Sequence, residues 1–486
     1  MKLKNPALLR NACYVNGQWI GSPVIPVTNP ATGETLALVP KFGTVEAKDA
    51  VAAAKVALPA WSNRTALERS TLLRRWFDLI VANKEDVALI LTSEQGKPLA
   101  EALTEIDYAA SYIEFYAEEA KRICGETIPS HRADARIVTL RQPIGVIAAI
   151  TPWNFPAAMI TRKLGPALAA GCTAVCKPAT ETPLTALALA ELAHQAGIPA
   201  GVINVITGKA SEIGLEWTTN PDVRGITFTG STEIGKILMR QSASTVKKVS
   251  LELGGNAPLI VFNDADLDAA VEGTLASKFR NMGQTCVCVN RLYIQDGVYD
   301  EFCNKLVAAV KMLKLGNGIE QDVTQGPLIN MAAVEKVEEH IADAVSKGAE
   351  ILIGGRRDDL GGTYFQPTVL KNVTAKMMVT REETFGPVAP LYRFKDEEEV
   401  VELANATEFG LASYMFSRDI GRVWRVAEAL EYGMVGVNTG MISTAQAPFG
   451  GIKESGIGRE GSAHGIDEYV EIKYILMGGL KNKNSH

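Results

Sequence analysis

Cysteine, histidine and long apolar runs are scarce in this chain, and each scarcity narrows what it can do. Seven cysteines in 486 residues are too few, and odd in number, for a disulfide-stapled secreted domain. Five histidines and no second Cys/His pair at zinc spacing leave no metal site to expect. No apolar stretch reaches the roughly 20 residues that cross a bilayer. The N-terminal segment MKLKNPALLRNACYVNGQWI has no apolar run behind its basic residues, so it does not read as a signal peptide. Basic charge is not in excess: the net charge is -6, which argues against general nucleic-acid binding. The expected setting is soluble, reducing and cytoplasmic, with neither nucleic acid nor membrane as partner. Internal repeats, low-complexity linkers and the G-x-G-x-x-G dinucleotide fingerprint are also missing.

What remains is a chain able to build large cores. It is 47% hydrophobic and 21% charged, and its length suggests two or three domains. Residues 46–123 read as helical, broken at Gly96-Lys97-Pro98. From residue 145 short apolar runs alternate with helical stretches: strands at Gly145–Ile150, Cys172–Lys177, Val202–Ile206 and Gly225–Thr229, with helices between them. One helix is expected to open at Thr182-Pro183, the threonine hydroxyl capping it, and to end near Gly197. Another opens at Ser231. A second series has strands at Pro258–Phe262, Asn290–Ile294, Val388–Phe394, Ser413–Phe416 and Met434–Asn438. Strands alternating with helices imply an α/β fold with parallel sheets. Residues 126–142 and the tail from 468 are strand-like and fit neither series; they form either an arm that pairs with another subunit or a local hairpin.

Several residues could carry chemistry. Phe228-Thr229-Gly230-Ser231 ends a strand at a helix N-terminus, which offers N–H groups to a phosphate. Alone it is equally an ordinary strand–helix turn. Lys177 ends a buried strand at the sheet edge where α/β proteins bind ligands, or is a plain surface lysine. Cys286, in Gly283-Gln284-Thr285-Cys286, follows an amphipathic helix and suits a thiolate nucleophile or a buried structural thiol. With histidine so rare, a carboxylate must serve as its base. Glu252, in Leu251-Glu252-Leu253-Gly254-Gly255, ends an apolar strand where desolvation raises a carboxyl pKa; a salt-bridged strand end is the alternative. Asn154, in the stiff loop Pro152-Trp153-Asn154-Phe155-Pro156, can offer an amide to an oxyanion or bond its own backbone.

Taken together, PWNFP at 152–156, KPA at 177–179, FTGS at 228–231, LELGG at 251–255, GQTC at 283–286, EETFGP at 382–387 and PFGG at 448–451 occur in the order of the aldehyde dehydrogenase superfamily, which the chain resembles over nearly its whole length. ITRKLGPALAAG, FRNMGQTCVC, FGGIKESGIGREGS and EYVEIKY resemble its bacterial succinate-semialdehyde dehydrogenase branch. The resemblance implies a Rossmann-like cofactor domain from residues 1–125 and 143–252. It implies an α/β catalytic domain over 253–445, with 446–467 returning to the cofactor domain. Residues 126–142 and 468–486 then form a small β oligomerisation arm of a homotetramer.

By position, the resemblance makes Cys286 the nucleophile, Glu252 the base and Asn154 the oxyanion amide. Trp153, Lys177, Thr180, Gly230, Ser231, Glu383 and Phe385 become cofactor contacts. Arg162, Arg280 and Ser443 become the grip on a substrate carboxylate, to which forked arginine bonding is suited. Cys288 is the candidate redox partner of Cys286. Thr180 stands where NAD-preferring members often have glutamate, so NADP is expected ahead of NAD, with Glu181 one place away. The expected reaction is oxidation of succinic semialdehyde to succinate. Glutarate semialdehyde, one methylene longer, is the near alternative; a CoA-acylating or non-catalytic relative is less in keeping with Glu252 and Cys286.

Overall fold

A computed structural model describes residues 1–480. Its first sheet has eight strands in the order Gly456–Ile457, Lys248–Glu252, Val223–Thr229, Val146–Ile150, Thr173–Lys177, Ile203–Val205, Cys13–Val15 and Gln18–Ile20. The five strands from Lys248–Glu252 to Ile203–Val205 are parallel. Chain order runs outward in both directions from Val146–Ile150. That strand is therefore the topological switch point, where the crevice at the carboxyl ends is open to a ligand. Its residues alternate between two apolar clusters, Ile147 and Ala149 on one face, Val146 and Ala148 on the other. Burial on both faces is why these strands read as unbroken apolar runs.

The second sheet has seven strands in the order Glu350–Ile353, Thr368–Lys371, Val388–Phe394, Val289–Gln295, Ala257–Val261, Ala412–Phe416 and Met434–Val437. All pairings but the first are parallel. Its middle strands likewise split between two clusters: Leu259 and Val261 against one, Ile260 and Phe262 against the other. The fold is thus α/β, with the expected strands present within two or three residues of their expected ends.

The helical block resolves into Thr44–Ser62, Ala66–Ala82, Lys84–Gln95 and Leu99–Glu119. Gly96, at φ 97, ends the third with a left-handed turn that suits glycine. One expected cap is corrected. The helix Leu184–Gln195 is not capped by Thr182, whose hydroxyl donates to the Trp153 carbonyl at 3.4 Å. Buried Glu94 accepts from the Leu184 and Thr185 N–H groups, at 2.7 and 2.8 Å. A carboxylate satisfies two orphan donors where a hydroxyl satisfies one.

Residues 126–142 and the tail pair with each other. Arg136–Pro143 runs antiparallel to Val470–Met477 over eight residue pairs and to Thr127–Ile128 on its other side. The first pairing joins partners more than 300 residues apart, and the second is a local hairpin; both lie within one chain. The expected arm's last six residues, 481–486, lie outside the described part. Two N-terminal hairpins, Cys13–Val15 with Gln18–Ile20 and Pro23–Thr28 with Thr35–Pro40, had no counterpart among the expected strands. Among the described residues no helix is long and apolar enough to cross a membrane.

Glu94→Ala is expected to lower stability by roughly 2 kcal/mol, because two buried N–H groups lose their acceptor. A lower urea-unfolding midpoint checks this; an unchanged midpoint rejects the capping role.

Candidate active site

The site is built where the carboxyl edge of the first sheet meets the amino ends of strands in the second. Lys248–Glu252 leads to Leu253 and Gly254, and Val223–Thr229 to Gly230 and Ser231. From the other sheet, Cys286 lies just before Val289–Gln295, and Glu383 and Phe385 just before Val388–Phe394. Trp153, Asn154, Gly230, Ser231, Cys286, Glu383 and Phe385 all line one cavity of about 270 Å³. Sequence positions more than 200 residues apart are thus brought together.

Ser231 caps the helix Thr232–Ser242, its Oγ accepting from the Ile234 N–H at 3.4 Å. The Trp153 and Phe385 rings meet edge to face, 5.5 Å apart at 86°. Glu383 is short of solvent, which pushes its carboxyl up to about 7; one oxygen accepts from the Gly255 N–H at 3.3 Å. Lys336 also lines the cavity and donates to the Glu383 carbonyl at 2.6 Å. Sequence reasoning missed Lys336: it is one lysine on an amphipathic helix, with no motif around it. Lys177 and Thr180 sit on the adjacent strand end but outside the cavity wall. Lys177 is buried and donates to the Pro178 carbonyl at 3.0 Å; burial holds its ammonium below the ordinary range, against the opposing pull of Glu181. Thr180 and Glu181 are exposed.

Cys286 is partly exposed, and Cys288 is buried. Desolvation pushes the Cys286 thiol up to about 12, with Arg162 the principal charge drawing it down. At neutral pH it therefore rests as a thiol. The Asn154 amide donates from Nδ2 to the Gln284 carbonyl at 3.0 Å, while its buried Oδ1 has no partner. An amide has two N–H donors, so one remains for a ligand. Among the described residues the Cys286 backbone N–H has no acceptor either.

Glu252 differs from expectation in direction, not in burial. Both carboxylate oxygens are buried without hydrogen-bond partners. Burial, and then Glu460, drive its pKa well above the usual range, while Arg162, Lys163 and Arg459 pull the other way. The carboxylate does not line the Cys286 cavity. Its Oε1 packs so close to Gly450 that a Cβ there would lie 2.9 Å away. Its neighbours Leu253 and Gly254, just past the strand end, line the cavity instead.

Arg280 and Ser443 line a second cavity, of about 800 Å³, together with Tyr108, Phe155, Phe279 and Met441. Asn154 and Phe155, adjacent in the chain, face the two cavities. The Arg280 guanidinium lies 5.3 Å from the Phe155 ring, and its buried Nε has no partner. Arg162 is a correction: it does not line this cavity. Every residue of its helix, Ala158–Ala170, is buried. Its guanidinium stacks 3.9 Å from the Phe449 ring, with Nη2 2.7 Å from Glu460 Oε2. Lys163 completes that cluster, 2.5 Å from Glu460 and 2.7 Å from the Thr229 hydroxyl. Cys288 does not line the Cys286 cavity; its thiol donates to the Gly283 carbonyl at 3.2 Å and receives Lys278 Nζ at 3.6 Å. No group of three metal-ligating side chains occurs among the described residues.

An open, largely parallel sheet with a crevice at its switch point, lined by a cysteine, is the arrangement of a nucleotide-dependent enzyme with a thiol at its centre. The aldehyde dehydrogenase family model matches residues 19–475. The glutarate-semialdehyde dehydrogenase of Pseudomonas aeruginosa is 63% identical over 483 residues, covering 99% of this chain and 100% of that protein. The NADP-type succinate-semialdehyde dehydrogenase of Escherichia coli is 62% identical, covering 98% and 100%. The crystal structure of a Burkholderia pseudomallei succinate-semialdehyde dehydrogenase superposes with a TM-score of 0.98 at 61% identity, covering 99% and 100%. The chain belongs to the aldehyde dehydrogenase family.

Alkylation of Cys286 by iodoacetamide is expected to accelerate with pH without levelling below the thiol's value of about 12. A plateau near neutrality in the free enzyme, measured by labelled-peptide mass, contradicts the protonated resting state.

Proposed function

We propose that this chain oxidises a short aldehyde carrying a carboxylate tail, succinic semialdehyde first, to the acid. The observation that carries the reading is the placement of Cys286 in one cavity and of Arg280, whose buried Nε has no partner, in a second cavity reached through the neighbouring Asn154 and Phe155. Arg280 and Ser443 hold the tail, and Phe155 and Phe279 supply apolar walls. Arg162 acts on the site from behind, through its charge on Cys286, not as a direct grip.

Glu383 and Lys336, which line the cavity, suit ribose hydroxyls; Ser231 and the helix it opens suit a phosphate. A bound nicotinamide dinucleotide supplies the hydride acceptor. Cys286 releases its proton to solvent water and its sulfur adds to the aldehyde carbon. The free Asn154 N–H and the Cys286 backbone N–H stabilise the resulting oxyanion. Loss of hydride leaves a thioester on Cys286. Glu252, turning from its packing against Gly450, takes a proton from water, and hydrolysis frees the acid. Its raised pKa makes it a stronger base than an exposed glutamate.

NADP is preferred because Thr180 carries no charge against a 2′-phosphate, a reading in keeping with the E. coli relative's name. Glutarate semialdehyde is the second reading, favoured by the name of the P. aeruginosa relative; one methylene is worth only about 1–3 kcal/mol in a pocket. Residues 1–125 with 143–252 form the cofactor domain and 253–445 the catalytic domain. The outer edge of Val470–Met477, with exposed Ile472 and Tyr474, suits pairing within a homotetramer. Seven unpaired cysteines fit a reducing cytoplasm.

Arg280→Ala is expected to cut kcat/KM for succinic semialdehyde by about 10- to 100-fold, the worth of a charged hydrogen bond, and to spare butanal. A wild type without preference between the two aldehydes rejects the carboxylate assignment. Glu252→Gln is expected to retain a burst of reduced cofactor while later turnovers slow. An unaltered steady state removes Glu252 as the base.

A further inference from the structure

Three consecutive residues before the nucleophile, Asn281 (φ 50), Met282 (φ 57) and Gly283 (φ 73), have positive φ. Asparagine is among the side chains that best tolerate this region, and methionine is not. The chain adopts so disfavoured a turn only where its surroundings hold it. Asn281 is only 1% exposed and lines neither cavity. Every polar group it has is engaged. Its backbone N–H donates to Glu101 at 2.9 Å. Its carbonyl accepts from Gln284, through the backbone N–H at 3.0 Å and Nε2 at 3.1 Å. Its Oδ1 accepts from Gln95 Nε2 at 2.9 Å. Its Nδ2 donates to two carbonyls at once, Asn154 at 3.1 Å and Gln284 at 3.2 Å.

Those two carbonyls belong to the two halves of the reaction site. Asn154 carries the oxyanion amide, and Gln284 stands two residues before Cys286. The Asn154 amide reaches the same Gln284 carbonyl, and Lys97 Nζ reaches the Asn154 carbonyl at 2.8 Å. We infer that Asn281 is a positioning residue: its Nδ2 sets the spacing between the Cys286 sulfur and the amide that receives the oxyanion. The role rests on the aldehyde-oxidising reading above. Asn281 touches no reacting atom; it acts through Asn154 and Gln284. Loss of the tie lets the loop and the amide separate, which matters when the tetrahedral oxyanion forms and little when cofactor binds.

The test compares wild type with Asn281→Asp, which keeps the turn preference and the acceptor for Gln95 but has no Nδ2. The burst of reduced cofactor with succinic semialdehyde and NADP is expected to slow by about 100-fold, the range seen on losing an oxyanion donor. The dissociation constant for NADP, read by protein fluorescence, is expected to stay within about threefold, because the dinucleotide residues are untouched. Alkylation of Cys286 by iodoacetamide, which forms no oxyanion, should likewise hold. A burst that is unchanged overturns the inference. So does a burst that falls in step with alkylation and cofactor binding, since that marks general disruption. If the aspartate variant does not fold, Gln95→Met frees Oδ1 alone, and about a tenfold slower burst with normal cofactor binding is expected; an undiminished burst there overturns the role. A wild type that gives no burst with any aldehyde and either dinucleotide rejects the functional reading itself, and this role with it.

Discussion

The hydrogen bond from the Asn154 amide to the Gln284 carbonyl joins the carboxyl edge of one sheet to the loop that enters the other. Everything proposed for the site depends on that junction. The cysteine sits on an irregular loop before a strand, and the amide on an equally irregular loop after one. Neither loop has a ladder of its own to hold it. Buried side chains supply what the ladders do not: Lys97, 2.5 Å from Glu105, donates to the Asn154 carbonyl, and Glu105 accepts from the N–H of Ala157, which begins the following helix. A buried ion pair is weak support for stability but strong specification of geometry when its remaining bonds are met, as here.

The same helical block that forms a large part of the first core thus underwrites the chemistry. Glu94, Gln95, Lys97, Glu101 and Glu105 lie on either side of the break at Gly96, and all reach the site or its supports. The break turns the chain so that the end of one helix and the start of the next address the same region. Polar groups this deeply buried carry a heavy desolvation cost if left unpaired, so their pairing leaves few alternative arrangements.

Much of this was readable from the residues. The alternation of apolar runs and helical stretches marked the parallel sheets, because strands buried on both faces must be apolar throughout. The motifs that surround Asn154, Gly230, Cys286 and Glu383 marked the cavity, because glycine and proline punctuate the turns that form it. The hairpin at Asn16-Gly17 also has a local signal, since Asn-Gly between strand residues favours a tight hairpin turn. Other features were not local. Thr182 has the chemistry of a cap, but a carboxylate from residue 94 takes the place. Arg162 has the chemistry of a substrate grip, but Glu460, nearly 300 residues on, meets its guanidinium first.

The sequence by itself determined the fold class, the family and the identity of the groups able to react, since these follow from side-chain chemistry and short-range patterning. Tertiary structure alone decided which of those groups face the cavities and which are turned to other partners. Glu252 and Cys286 illustrate the division. Both are identifiable in the chain, but the direction of a carboxylate, the exposure of a sulfur and the proton each holds depend on burial and on charges brought near by folding. Such through-space fields leave no mark on the order of residues.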